Sequence, residues 1–555
     1  MYDVVICRVA YRSRNNSVNE IEESKVCHAY GAIFDAGVSV KVLDFYLDDS
    51  LKIEDIVTTG AKIVLFYVRW PGEFWTKSQQ TIFELRKINT EQLVAVFGET
   101  SVGQEKALRE TPIDVVITGE EPEIVDFVKT ILSGGKWNDC TGIMYLNDNQ
   151  LVVNQGSALI HNLDELPRAK HYWLEYCKEN GKPLDFMKAA IRTSRGCYAR
   201  CKFCFITGYD DLYDDFRWRG RSAENVFEEI KEIYNTYGIT EFVFTDANFF
   251  NNSKESRQRA KKLSGLILDS GMEIKWLIYT RANDVDEELF AFMKKAGLYA
   301  VLMGIESFVP AKLKRYAKGT TVEQNYKAIQ ILKDLDIYIH PGFILFDKDT
   351  TVDEIRADLE GLKWAIEGKP ELFVNPIVLV GSIFIPYEGS RSESDYLSIV
   401  TDSERFLLGA MDQRMSELDS CLKYGFRDKT VASIADAGWV FAREMGSQQY
   451  HKRKLYAQMI ERLLVDEDDN EAFELIQKLI EWRKLLAHIT IHTFSEIVVN
   501  LASNPDPVSA RFTELDKAWE KVRHFNIQYL GQEYSDIRWV EEYNKLKTAE
   551  KHVVG

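Results

Sequence analysis

Apolar runs of about five residues alternate with stretches in which apolar positions recur every three or four residues, and this alternation starts twice along the chain. The first series predicts strands at residues 3–9, 39–45, 63–68, 93–97 and 115–117, with helices between them such as 20–35 and 124–132. Near-continuous apolar strands interleaved with amphipathic helices give a parallel sheet covered on both faces, so residues 1–135 are read as a Rossmann-like α/β domain. The first strand leads into Tyr11-Arg12-Ser13 in place of a GxGxxG turn, which argues against a dinucleotide.

The second series predicts strands at 190–193, 241–245, 274–280, 300–304, 338–345 and 376–383, with helices at 223–237, 286–296 and 322–335. Six such units suit a partial TIM-type (β/α)6 barrel over residues 187–390, with its chemistry at the carboxyl ends of the strands. Residues 136–186 are read as a linker. Over 391–555 the strand signal fades, and amphipathic stretches at 471–486 and 513–523 predict an α-helical C-terminal domain.

A chain of 555 residues is long enough for several cores, in keeping with this division. The net charge of −17 opposes phosphate backbones, so a small-molecule substrate is expected and nucleic acid is not. Asp3 interrupts the start where a secretory signal would be apolar, and the longest apolar stretch, 375–386, is well short of the ~20 residues that span a bilayer. The expectation is a cytoplasmic monomer with no membrane contact. Its eight cysteines are then reduced thiols or metal ligands, of which Cys7, Cys27, Cys140, Cys177 and Cys421 are scattered singly.

Three cysteines are not scattered. The segment Arg192-Thr-Ser-Arg-Gly-Cys197-Tyr-Ala-Arg-Cys201-Lys-Phe-Cys204 follows the first expected barrel strand. Three thiolates leave one iron of a 4Fe-4S cluster open to an outside ligand, whereas a structural zinc wants four closed donors; a zinc knuckle completed by a distant histidine or cysteine is the alternative. This segment resembles the radical S-adenosylmethionine superfamily, and the resemblance extends to Phe244-Thr-Asp246, Tyr279-Thr-Arg281 and Met303-Gly304-Ile-Glu306-Ser307 at later strand ends. It implies that Asp246, Arg281, Gly304, Glu306 and Ser307 line S-adenosylmethionine; simple strand capping is the plainer account of each.

In the first domain, Phe97-Gly98-Glu99-Thr100-Ser101 and the run from Asp114 to Gly119-Glu120-Glu121, with the linker 162–167, resemble the strand ends of cobalamin-binding domains fused to radical enzymes. Small residues at such turns allow a close approach of backbone to a corrin. The DxHxxG motif is absent, so cobalamin is expected to bind without a lower histidine ligand; a Rossmann domain that has lost its cofactor is the alternative. The third strand ends at Phe66-Tyr-Val-Arg69-Trp70, which aims a permanent cation at the crevice. Such a charge favours cob(I)alamin and makes methylcobalamin a better methyl donor; a surface arginine stacked on Trp70 is the bland reading.

The domain order together with Arg69 is similar to the tryptophan 2-C-methyltransferases of thiopeptide antibiotic biosynthesis. That resemblance implies a polar route in which the methyl group of S-adenosylmethionine passes through cobalamin to carbon 2 of L-tryptophan's indole, with an external electron donor to reduce the cobalamin. It also implies a protein carboxylate on the open iron, Glu273 or Glu306, although Glu273 precedes its strand and needs an irregular entry. His340, Tyr387 and Glu388 fall at the mouths of the last two expected strands and are the substrate candidates. Two rivals remain: radical methylation of an sp3 carbon or phosphinate centre, and a cobalamin sensor or carrier with a structural cluster.

Overall fold

The computed structural model describes residues 2–9, 21–48, 50–68, 73–98, 104–156, 159–182, 184, 187–210, 218–386, 390–399, 404–416, 422–466 and 469–530. The first sheet contains β1 (Val4–Arg8), β2 (Val40–Asp44), β3 (Ile63–Tyr67), β4 (Leu93–Phe97), β5 (Val115–Ile117), β6 (Ile143–Asn147) and β7 (Gln150–Asn154) in the order β2-β1-β3-β4-β5-β6-β7. β1 to β5 are parallel, and β1 and β3 are buried along their whole length, as their unbroken apolar sequences require. The strand order reverses between β1 and β3, so the ligand crevice of this sheet lies beyond their carboxyl ends.

β6 and β7 correct the linker. They pair antiparallel with β5 and with each other, extending the first sheet through a turn at Asp148 and Asn149, both at positive φ. That backbone matches the right-handed twist of a two-residue hairpin.

The second sheet is all parallel, in the order β14-β13-β12-β11-β8, from β8 (Lys188–Ile191), β11 (Glu241–Phe244), β12 (Lys275–Arg281), β13 (Leu298–Glu306) and β14 (Tyr338–Phe343). A short antiparallel pair, β9 (Ser194–Arg195) and β10 (Arg219–Gly220), stands at the end of β8. The intervening helices start where side chains take up free amides: Ser222 caps Ala223–Tyr237, and Thr321 caps Val322–Asp334 with Gln324 reciprocating.

The sixth expected strand, 376–383, is corrected to a short helix, Ile377–Val380, followed by a single parallel bridge from Ile383 to Phe346. Pro376 has no amide to give a ladder and Asn375 sits at φ 54°, so the chain cannot enter as a regular strand there.

Three long helices, Lys429–Val465, Asn470–Ser503 and Pro507–Leu530, form the C-terminal bundle. It is pinned to itself by the buried pair of Arg511 and Asp436 at 2.9 Å. Among the described residues Asn470–Ser503 is the one helix long and apolar enough to cross a membrane, and 56% of that apolar window is packed inside the protein.

Candidate active site

The cysteine loop leaves the carboxyl end of β8 under the control of Asp246. One Asp246 oxygen accepts the amides of Thr193 and Ser194, both at 2.7 Å, and the other accepts the Thr193 hydroxyl at 2.6 Å. Burial pushes this carboxyl up, against the pull of Arg259, which itself donates to the carbonyls of Thr193 and Arg221. Asp246 thus holds the loop in place.

Beyond it, Cys201 is buried while Cys197 and Cys204 are partly open. Burial raises the Cys197 thiol and pushes the Cys204 thiol up to about 12, with the other two cysteines adding to it. Concentrating three thiols in a dry site is unfavourable for their anions until a metal neutralises them, which is the chemistry of an iron-sulfur ligand set. Among the described residues the three sulfurs are not gathered within 4.8 Å of one another, as donors to one zinc ion would be.

Arg281, at the end of β12, reaches into this loop. Its Nη1 donates to Cys201 Sγ at 3.2 Å, its Nη2 donates to the Lys318 carbonyl, and its plane lies 5.5 Å from the centre of the Tyr198 ring. Tyr198 in turn donates to Asp284 at 3.0 Å and accepts from Asn283 at 2.8 Å.

Glu306 closes β13 at φ 63°, where the register with β14 slips, and its carboxylate pairs with Lys318 Nζ at 2.9 Å. Gly304 leaves room for this pair: a Cβ there would lie 2.4 Å from Lys318 Nζ and 2.6 Å from the Glu306 carboxylate and would make the two side-chain ends shift. Ser307 is fully buried and donates to Asp358 at 2.7 Å, next to the buried pair of Lys312 and Asp358. His340 is half-buried on β14, opposite Leu302 of β13.

Glu273 lies elsewhere. It precedes β12 at the amino end of the sheet and lines an open cleft with Gly238, Thr240 and Gly297, so the structure does not bring it to the cysteines. Arg69, Glu99, Thr100, Ser101, Tyr387 and Glu388 fall outside the described residues.

The two sheets meet carboxyl end to carboxyl end. The Ser24 hydroxyl, at the start of helix Ser24–Asp35 in the first domain, is 2.9 Å from that of Thr245 just past β11. At the end of β4, Gly98 has φ 148° and its Hα side faces Val68, where a Cβ would come within 2.0 Å of the carbonyl; Gly119 is similarly crowded by Glu123. The need for glycine at both positions is met by the protein's own packing.

Glu120 does not face open space either. Its carboxylate takes Arg195 at 2.7 Å and two nitrogens of Arg219 at 2.9 Å, while Glu121 takes Arg195 at 2.8 Å. Sequence reasoning found Glu120 but missed this partnership, since Arg195 and Arg219 lie far along the chain.

A second buried network crosses the same junction. His171 has Glu22 on Nδ1 and Glu229 at 3.3 Å from Nε2, Cys27 lies alongside, and Glu229 is held by Arg221 at 2.5 Å. Burial pulls the imidazole down in pKa, but the Glu22 carboxylate more than reverses this, so His171 titrates well above its ordinary value and is a cation. With its folded pKa raised, its stabilisation is complete below the unfolded pKa and is lost as pH rises through the folded one. We expect His171→Gln to cost roughly 3–5 kcal/mol at pH 6, as when one member of a buried pair is removed, and visibly less at pH 9.5. Urea unfolding at the two pH values measures this, and an equal penalty at both would exclude a charged His171.

Residues 191–361 match the radical SAM superfamily, so this region is a radical SAM domain, which implies a 4Fe-4S cluster and S-adenosylmethionine. Over 287 residues the chain is 31% identical to an uncharacterized methyltransferase of Pyrococcus horikoshii, covering 51% of this chain and 60% of that protein. Over 276 residues it is 28% identical to an anaerobic magnesium-protoporphyrin IX monomethyl ester cyclase of Cereibacter sphaeroides, covering 48% and 43%. The chain therefore spans about half the length of these curated relatives.

Among solved structures, the cobalamin-dependent S-adenosylmethionine radical enzyme OxsB with aqua-cobalamin bound is similar over 99% of this chain and 84% of its own, with a TM-score of 0.73 at 16% identity. The radical S-adenosylmethionine methyltransferase TsrM from Kitasatospora setae, with tryptophan substrate and an S-adenosylmethionine analogue bound, is similar over 65% of this chain and 71% of its own, with a TM-score of 0.53 at 16% identity. At these identities the likeness is one of fold. With OxsB it extends over nearly the whole chain.

Proposed function

We propose that this chain is a cobalamin-dependent radical S-adenosylmethionine methyltransferase acting on a small molecule. The observation that carries the reading is the meeting of two sheets by their carboxyl ends, with Cys197, Cys201 and Cys204 on a loop at that junction. When bound, the cluster and cobalamin supply an open iron for S-adenosylmethionine and a relay for its methyl group.

The residues of this chain do the rest. The three cysteines hold the cluster, Asp246 fixes their loop, and the Lys318–Glu306 pair shapes the floor beside Gly304. Arg69 and the segment from Gly98 to Ser101 are placed by sequence at the crevice of the first sheet and are proposed to face the corrin, while His340, Tyr387 and Glu388 are proposed to meet the substrate. The protein would act as a monomer in the cytoplasm, drawing electrons from an external donor.

Within this class we take tryptophan as the acceptor, methylated at indole carbon 2 without a radical, since that carbon is nucleophilic and needs only a base for the ring nitrogen's proton. The resemblance in domain order and Arg69 supports it. A second reading, radical methylation of an sp3 or phosphinate centre, is favoured by one observation. Glu273 stands at the far end of the sheet and Glu306 is tied to Lys318, so neither described carboxylate is free to cap the open iron.

Anaerobic reconstitution with iron, sulfide and cobalamin, followed by labelled S-adenosylmethionine and tryptophan, tests both. We expect labelled 2-methyltryptophan with matching S-adenosylhomocysteine. 5′-Deoxyadenosine formed in proportion to product would select the radical reading, and a protein that binds neither iron nor corrin would end the class assignment.

A further inference from the structure

We infer that Arg281 sets the reduction potential of the cluster through the charged hydrogen bond it gives to the Cys201 sulfur. The inference rests on the proposed binding of a 4Fe-4S cluster by Cys197, Cys201 and Cys204 and adds a role that the sequence did not indicate, where Arg281 was expected to line S-adenosylmethionine.

The three sulfurs have unequal surroundings. Cys197 Sγ accepts the Ala199 amide at 3.5 Å, and Cys204 is approached by the amides of Ile206 and Thr207. Cys201 instead has a guanidinium, with Arg281 Nη1 at 3.2 Å. Among the described residues this is the charged donor that touches a cluster cysteine.

The guanidinium is also committed. Nη2 donates to the Lys318 carbonyl, Nε donates to Asn283 Oδ1 at 3.3 Å, and the flat face rests on Tyr198. Arg281 is only 6% exposed, so solvent screens its charge weakly. One N–H of each terminal nitrogen is thus committed inside the protein, and the arginine is held toward the sulfur.

The consequence is redox. Reduction of the cluster adds one electron from an outside reductant, with no bond made or broken and no proton taken up. Hydrogen bonds and positive charge at a ligand sulfur stabilise the more negative reduced state and raise the potential. Arg281 is in this sense a positioning residue: it acts on the electrons through Cys201.

The test uses the full chain reconstituted with iron and sulfide, without S-adenosylmethionine or cobalamin. Dithionite titration followed by electron paramagnetic resonance gives the cluster's midpoint potential in the parent, Arg281→Gln and Arg281→Lys. We expect both variants to keep four irons per chain, with the midpoint more negative in Arg281→Gln and intermediate in Arg281→Lys, which keeps the charge but loses the planar fork. An unchanged midpoint in variants with intact clusters overturns the inference and leaves the cluster reading standing. A parent that binds no iron overturns the cluster reading itself. If Arg281→Gln loses its iron, Arg281→Lys decides on the same criterion.

Discussion

Cys201→Ala is expected to reduce bound iron from four per chain to near zero, remove the cluster's visible absorbance, and take methyl transfer to background. Two thiolates cannot hold an iron-sulfur cube against solvent, and the lost position is the most buried of the three and the one that faces Arg281. The fold should survive, because the loop is fixed by the Asp246 bonds to Thr193 and Ser194 and by Arg259. Circular dichroism unchanged beside an iron assay near zero is the expected pair of results. Cys7→Ala is the matched control: Cys7 is equally buried but sits inside β1, where burial alone raises its thiol and keeps it protonated. If Cys201→Ala retained four irons, or Cys7→Ala lost them, the cysteine assignment would be wrong.

The parts of this molecule written in short stretches of sequence were legible. β3, β4 and β5 are unbroken apolar runs, β1 and β2 are mostly apolar, and the cysteine motif lies within eight residues, so strand, loop and ligand set follow from local pattern. The hairpin of β6 and β7 escaped because its strands are half-exposed and its turn, Asp148-Asn149, carries no glycine to announce positive φ. The strand expected over 376–383 was an apolar run misread, and Pro376 was the available warning.

Side-chain direction was the larger loss. Asp246, Ser307 and Glu120 were marked for cofactors, and each has partners within the protein: two amides, Asp358, and two arginines. Strand-end position says that a residue is near the active mouth, but not whether it points into it. The His171 network was beyond reach altogether, because Glu22 and His171 are 149 residues apart and neither belongs to a motif.

Glu120→Ala is expected to destabilise the protein by roughly 3–5 kcal/mol at pH 7, the usual loss when one member of a buried ion cluster is removed. The reason is what remains: Arg195 and Arg219, both largely buried, would lose the carboxylate they share, and among the described contacts Glu121 would still pair with Arg195. Burial alone would raise the Glu120 carboxyl, but Arg195 and Arg219 overcome it and bring it down to about 2. Since the folded pKa is depressed, this stabilisation is present above the ordinary carboxyl range and fades as pH falls toward 2. The gap between parent and variant in urea midpoint should therefore be wide at pH 7 and narrow on acidification. A double change, Glu120→Leu with Arg219→Leu, should recover part of the loss, because it removes the stranded Arg219 charge and leaves the Arg195–Glu121 pair intact. Iron per folded chain should stay unchanged in Glu120→Ala, as its carboxylate touches no cysteine among the described contacts. A variant as stable as the parent would mean that these charges do not hold the two sheets end to end. Loss of corrin affinity without loss of stability would return Glu120 to the cofactor-binding role that its place in the sequence suggested.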